Sequence, residues 1–113
     1  MDYKVISETP ITASELASEL KSIEKRDSEL NFRATKTQEY LTTLTKLSKP
    51  KAAELAKELE ALEIPRIKDI QIIKIIDLLP KNMTELKVVL QGYPITVSEA
   101  NMKKILDVVK QYI

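Results

Sequence analysis

Two glutamates one helical turn apart, Glu54 and Glu58, are the pair of side chains best placed to do chemistry together. At i and i+4 two carboxylates share a helix face and could hold a divalent ion, or one proton, between them. Lysines interleave with them, at Lys51 and Lys57, which is the pattern of a solvated face. Little else could support catalysis. The 113-residue chain contains no histidine and no cysteine, which excludes Ser-His-Asp and Cys-His arrangements, His-ligated zinc, thiolate chemistry and disulfides. Its single glycine, Gly92, cannot build a glycine-rich phosphate loop and, followed by Tyr93-Pro94, reads as a helix stop. These absences argue against an enzyme and lead us to expect no cofactor, bound metal or small-molecule substrate.

Contact with phosphates remains open, through local charge only. Lys plus Arg number 18 and Asp plus Glu 17, so no overall field draws the chain to nucleic acid or membrane. Two basic clusters stand out: Arg33, Lys36, Lys46, Lys49 and Lys51, and, near the end, Lys103, Lys104 and Lys110. Both also fit ordinary surface lysines. The aromatic residues that stack bases are scattered, with Phe32 and Tyr40 reading as interface or core. Asp77 is out of place, because it lies near a predicted helix C-terminus, where the macrodipole disfavours negative charge. Lys74, Lys81 or the first turn of the following helix could compensate it.

These residues are positioned by helices. Thr12 and Glu15 are spaced as a capping box with Ile11 and Leu16 as a hydrophobic staple, and predict a helix to about Arg26. Its apolar face carries Ala13, Leu16, Ala17, Leu20 and Ile23. Asp27 or Ser28 caps a second helix to about Leu47, rich in threonine and so dependent on packing. Ser48 and Pro50 open a third, with Ala52, Leu55, Ala56, Leu59 and Leu62 as its seam, ended at Ile64-Pro65. The segment from Ile67 to Pro80 is apolar almost all round the helical wheel, which predicts a central, covered helix. Asn82 with Glu85 opens a short helix to Gln91. Thr96 with Glu99 caps the last, whose inner face holds Met102, Ile105, Leu106, Val109 and Tyr112. The strings PITASE and PITVSE, at Pro10 and Pro94, read as one capping solution used twice.

Before the helices, Tyr3 to Ser7 favours extended backbone and has no partner strand in the chain. A lone strand either frays or completes a sheet in another molecule. With 43% apolar but only 4% aromatic residues, the core must be mainly Ile, Leu, Val and Ala, which suits helix packing. The expected fold is all-α: an N-terminal arm and two helices over residues 1–47, then a four-helix unit over 48–113. With no long apolar run and no signal-peptide pattern, the chain should be soluble and cytoplasmic.

The arm, the stretch LNFRATKTQEYLTTLTKLSKPKAAELAKEL from Leu30 to Leu59, the IIDLLP string from Ile75 to Pro80 and the closing ITVSEANMKKILDVVKQY from Ile95 to Tyr112 form a pattern that covers nearly the whole chain. It resembles the F-type subunit of archaeal DNA-directed RNA polymerase. That family is the counterpart of the fourth subunit of eukaryotic RNA polymerase II. The resemblance implies a C-terminal unit similar to the helicase and RNase D C-terminal domain, and a non-catalytic role. It implies pairing with the E-type subunit of the same polymerase to form the stalk beside the RNA exit channel, where the pair aids promoter opening and handles transcript. The arm and first helices would then carry the partner interface, at Tyr3, Val5, Ile6, Leu16, Leu20, Phe32 and Tyr40. Arg33, Lys36, Lys46, Lys49 and Lys51 would be the candidates for a weak contact with nascent RNA. The rival reading from the residues is a free-standing helical module that binds nucleic acid through the same basic clusters.

Overall fold

The computed structural model describes residues 5–92 and 96–113. Among them are six helices in the order α1 (Ala13–Asp27), α2 (Phe32–Leu44), α3 (Lys49–Ala61), α4 (Asp69–Leu78), α5 (Met83–Leu90) and α6 (Glu99–Lys110), and no strand. Polar side chains start five of these helices by accepting an N–H of the first turn, which no backbone carbonyl can reach. Thr12, Asn31, Ser48, Asn82 and Ser98 accept from Glu15, Ala34, Lys51, Glu85 and Asn101. At the start of α4 the buried Gln71 side chain instead accepts the Lys68 N–H at 2.9 Å.

Two of these starts differ from the sequence expectation. The second helix begins at Asn31, because Ser28 takes a left-handed conformation (φ 68°) that ends α1 and turns the chain back. That helix stops at Leu44, since Thr45 is already extended and Ser48 is needed as the next cap. The similar strings PITASE and PITVSE are not used alike. Thr12 caps α1, whereas α6 is capped by Ser98, two residues beyond the corresponding Thr96, and Val97 is buried. The shared letters therefore serve two registers.

The main core is drawn from α3 to α6 and their connections. Leu55, Ile75, Leu86 and Val109 have no exposed surface, and Ala52, Ile72, Ile76, Val89, Ile105 and Leu106 pack among them. Burying each Leu or Ile contributes about 1.5 to 3 kcal/mol, so this cluster supplies most of the apolar stabilisation of that half. Within it α3 packs on α4 and α6, and α5 bridges α4 and α6. The central helix is less covered than its composition suggests: Ile72, Ile75 and Ile76 are buried, but Ile70 is 51% exposed and Leu78 is also largely open. α4 packs chiefly on α3 and α5, so the side carrying Ile70 and Leu78 stays open. It ends where Leu79 turns left-handed (φ 45°) ahead of the buried Pro80.

The other helices form an antiparallel hairpin. α1 packs against α2 on one side and α3 on the other, with Leu20 and Leu41 buried, while α2 packs chiefly on α1. Asp77 resolves here. Its carboxylate accepts the Ala13 N–H at 2.9 Å, so it is the start of α1, distant in sequence, that compensates it, rather than the start of α5.

Candidate partner interface

From Val5 to Ile11 the chain has no regular secondary structure and lies open, with Val5 70% and Ile6 91% exposed. Tyr3, which the sequence grouped with them, falls outside the described residues. No strand lies beside this segment among the described residues.

On α2 the pattern is a row of large side chains turned away from the rest of the chain. Phe32, Lys36 and Tyr40 follow each other at intervals of four and so lie along one face, over about 12 Å of helix. Phe32 is 76% and Tyr40 65% exposed, while Leu41, on the opposite side, is buried against α1. The Lys36 ammonium sits 5.6 Å from the Phe32 ring centroid and 3.6 Å from Glu39. Threonine lines the remainder of the helix, and the hydroxyls of Thr35, Thr37, Thr42 and Thr43 donate to the carbonyls of Asn31, Arg33, Gln38 and Glu39 one turn back.

The two leucines assigned to the same interface sit differently. Leu16 is half-buried and Leu20 is buried at 8% exposure, so they hold the hairpin together from within. Arm and α2 present the apolar surface; Leu20 supports it from behind.

The first basic cluster does not assemble into one patch. Arg33 and Lys36 lie on the first turns of α2, and Lys46 lies past its end, about 20 Å along. Lys46 donates to the Leu78 carbonyl at 3.1 Å, and Lys51 lies 3.6 Å from Glu54. Lys49, at the first position of α3, borders the groove described next. With Lys46 capping α4 and Lys36 and Lys51 beside carboxylates, the cluster has less charge to offer a phosphate than its count suggests.

A groove of about 430 Å³ runs between the start of α1, α3 and α4, with a floor of Ala52, Ala53, Ala56, Ile72 and Ile73 and a rim of mixed charge. The carboxylate pair considered for metal or proton chemistry is engaged elsewhere: Glu54 pairs with Lys51 and Glu58 faces the Tyr112 hydroxyl. Among the described residues no three carboxylates gather where they could hold a metal ion, and no helix is long and apolar enough to cross a membrane.

A helical scaffold with an open apolar arm and an outward aromatic row is the outline of a protein that works by contact. The profile of the RNA polymerase Rpb4 family matches residues 3–113, nearly the whole chain, and the chain belongs to that family. It is thus a component of RNA polymerase, acting in transcription and associating with the polymerase core, in a family that is non-catalytic. No curated protein matches it in a direct sequence comparison.

Proposed function

We propose that the chain is the archaeal-type member of its family and pairs with the E-type subunit of RNA polymerase. Together they would form the stalk beside the RNA exit channel, aid promoter opening and guide emerging transcript. Residues up to Leu47 would carry the partner interface, and residues 48–113 would form the unit similar to the helicase and RNase D C-terminal domain, in the cytoplasm. The observation that carries this reading is the apolar surface left open at Val5, Ile6, Phe32 and Tyr40 by a chain that has a core of its own. An exposed segment outside the helices, rich in strand-favouring residues, is suited to joining the edge of a partner's sheet, where each backbone hydrogen bond contributes about 0.5 to 1.5 kcal/mol net. The two aromatics would supply the buried anchors of the interface.

Deleting residues 1–9 and titrating the shortened chain with the E-type subunit tests this. Affinity should fall severely, and an unchanged affinity would refute strand addition. Nascent RNA would touch this chain weakly at most, through Arg33, Lys49 and their neighbours. Strong, steeply salt-dependent RNA binding by the isolated chain would favour the free-standing nucleic-acid-binding module instead.

A further inference from the structure

The hairpin of α1 and α2 is held at its open end, where α1 begins and the chain leaves α2, by adjacent residues of α4. At the start of the hairpin, Asp77 Oδ1 accepts the Ala13 N–H at 2.9 Å. At the finish, just past α2, the Lys46 ammonium donates to the Leu78 carbonyl at 3.1 Å. Ala13 is the first residue of α1, so a carboxylate meets the positive end of a helix. Leu78 is the last residue of α4, so an ammonium meets the negative end of another. Leu79, left-handed and buried, and Pro80 after it stop α4 where these two acceptors point at the hairpin.

Without these contacts the hairpin would rest on the remainder chiefly through the packing of α1 on α3. One line of contact between two helices permits rocking about that line. A further place of attachment off that line, where both legs of the hairpin's open end meet the end of α4, restrains this freedom. We propose that Asp77 and Leu78 form a two-point clamp that fixes the α1–α2 hairpin on α3–α6, so that the face bearing Phe32 and Tyr40 keeps one orientation to the rest of the chain. The clamp is a property of the chain alone and stands whatever protein binds that face.

The absence of native cysteine allows spin labels to be placed at Thr37→Cys on α2 and Lys103→Cys on α6, both exposed positions. Pulsed electron paramagnetic resonance on the full chain should give one narrow distance distribution. Adding Asp77→Ala with Lys46→Met should broaden it, and amides of α1 and α2 should exchange roughly tenfold faster, the scale of losing hydrogen bonds to charged groups, with α5 and α6 unaffected. Asp77→Asn retains an acceptor oxygen and should keep the narrow distribution. A narrow distribution with unchanged exchange in the doubly substituted chain would overturn the clamp. Should that chain fail to fold, Lys46→Met alone decides, because Lys46 is exposed: faster exchange across α2 supports the clamp and unchanged exchange refutes it.

Discussion

The Tyr112 hydroxyl faces the Glu58 carboxylate, which brings the turn after α6 against the outer face of α3. Desolvation, then the facing Glu58 carboxylate and the negative charge of Glu54, push its pKa up to about 12, from an ordinary value of 10.0. A raised pKa means that the contact stabilises fully below the unfolded value and is lost as pH rises from about 10 to about 12. Ultraviolet titration should show a tyrosinate component near pH 12 that disappears in Tyr112→Phe. If the spectra of the two chains are superimposable at that pH, the contact is absent in solution.

Asp77 predicts a different pH dependence. Burial raises its pKa above the ordinary 3.8, against the opposing effect of the Ala13 N–H. The folded chain then holds a proton more readily than the unfolded one, so the contribution of Asp77 is greatest below pH 3.8 and declines as pH rises through its native pKa. Asp77→Asn, which does not titrate, should gain on the parent between pH 3 and pH 7. Urea midpoints across that range decide it, and a deficit of the variant that widens toward neutral pH would reverse the sign.

Phe32 and Tyr40 should separate binding from folding. Both are mostly exposed, so either residue changed to Ala should leave the thermal midpoint nearly unaltered, within about 0.5 kcal/mol. Each change should nevertheless cost about 2 kcal/mol of affinity for the E-type subunit, roughly thirtyfold, as loss of an aromatic anchor does. Loss of stability in step with affinity would make these aromatics part of the fold.

Leu55 is the converse case. It is fully enclosed at the centre of the core, so Leu55→Ala should destabilise by about 3 to 5 kcal/mol, through lost burial and the cavity left behind. Denaturant unfolding measures it, and a cost below about 1 kcal/mol would mean that the core collapses around the gap.

The connection from α3 to α4 stores backbone strain. Glu63 and Arg66 are exposed and both left-handed, at φ 49° and 67°. A side chain costs about 1 to 2 kcal/mol there, and glycine removes that cost. Arg66→Gly should therefore be more stable than Arg66→Ala by about 1 kcal/mol, the reverse of the order inside a helix. Equal stabilities would show that the turn relaxes.

Local signals were legible in the amino-acid order and distant ones were not. Thr12, Ser48 and Asn82 announce their helices because a cap acts over three residues, and the seam of α3 reads directly from its spacing. The start of α2 was not legible, because Asp27, Ser28 and Asn31 are all good caps by type and only the turn that lays α2 on α1 selects Asn31. The likeness of PITASE and PITVSE misled for the same reason, since burial of Val97 sets the register at the second copy. Asp77 was recognisable as a misfit, but its partner lies 64 residues away, a separation that no periodicity encodes. For the proposed interface, residue type singled out Val5, Ile6, Phe32 and Tyr40, which are exposed, yet could not tell that Leu20 is buried.

The threonines of α2 give that helix a chemical character that their polarity conceals. With four hydroxyl hydrogens already directed at carbonyls of the preceding turn, the side chains have little left to donate to water. Stripping water from such a surface forfeits fewer hydrogen bonds than stripping it from asparagine or glutamine, so a dry seal can form beside Phe32 and Tyr40 at low cost. What a hydropathy scale scores as a wetted face therefore behaves, toward an approaching surface, more like a field of methyl groups.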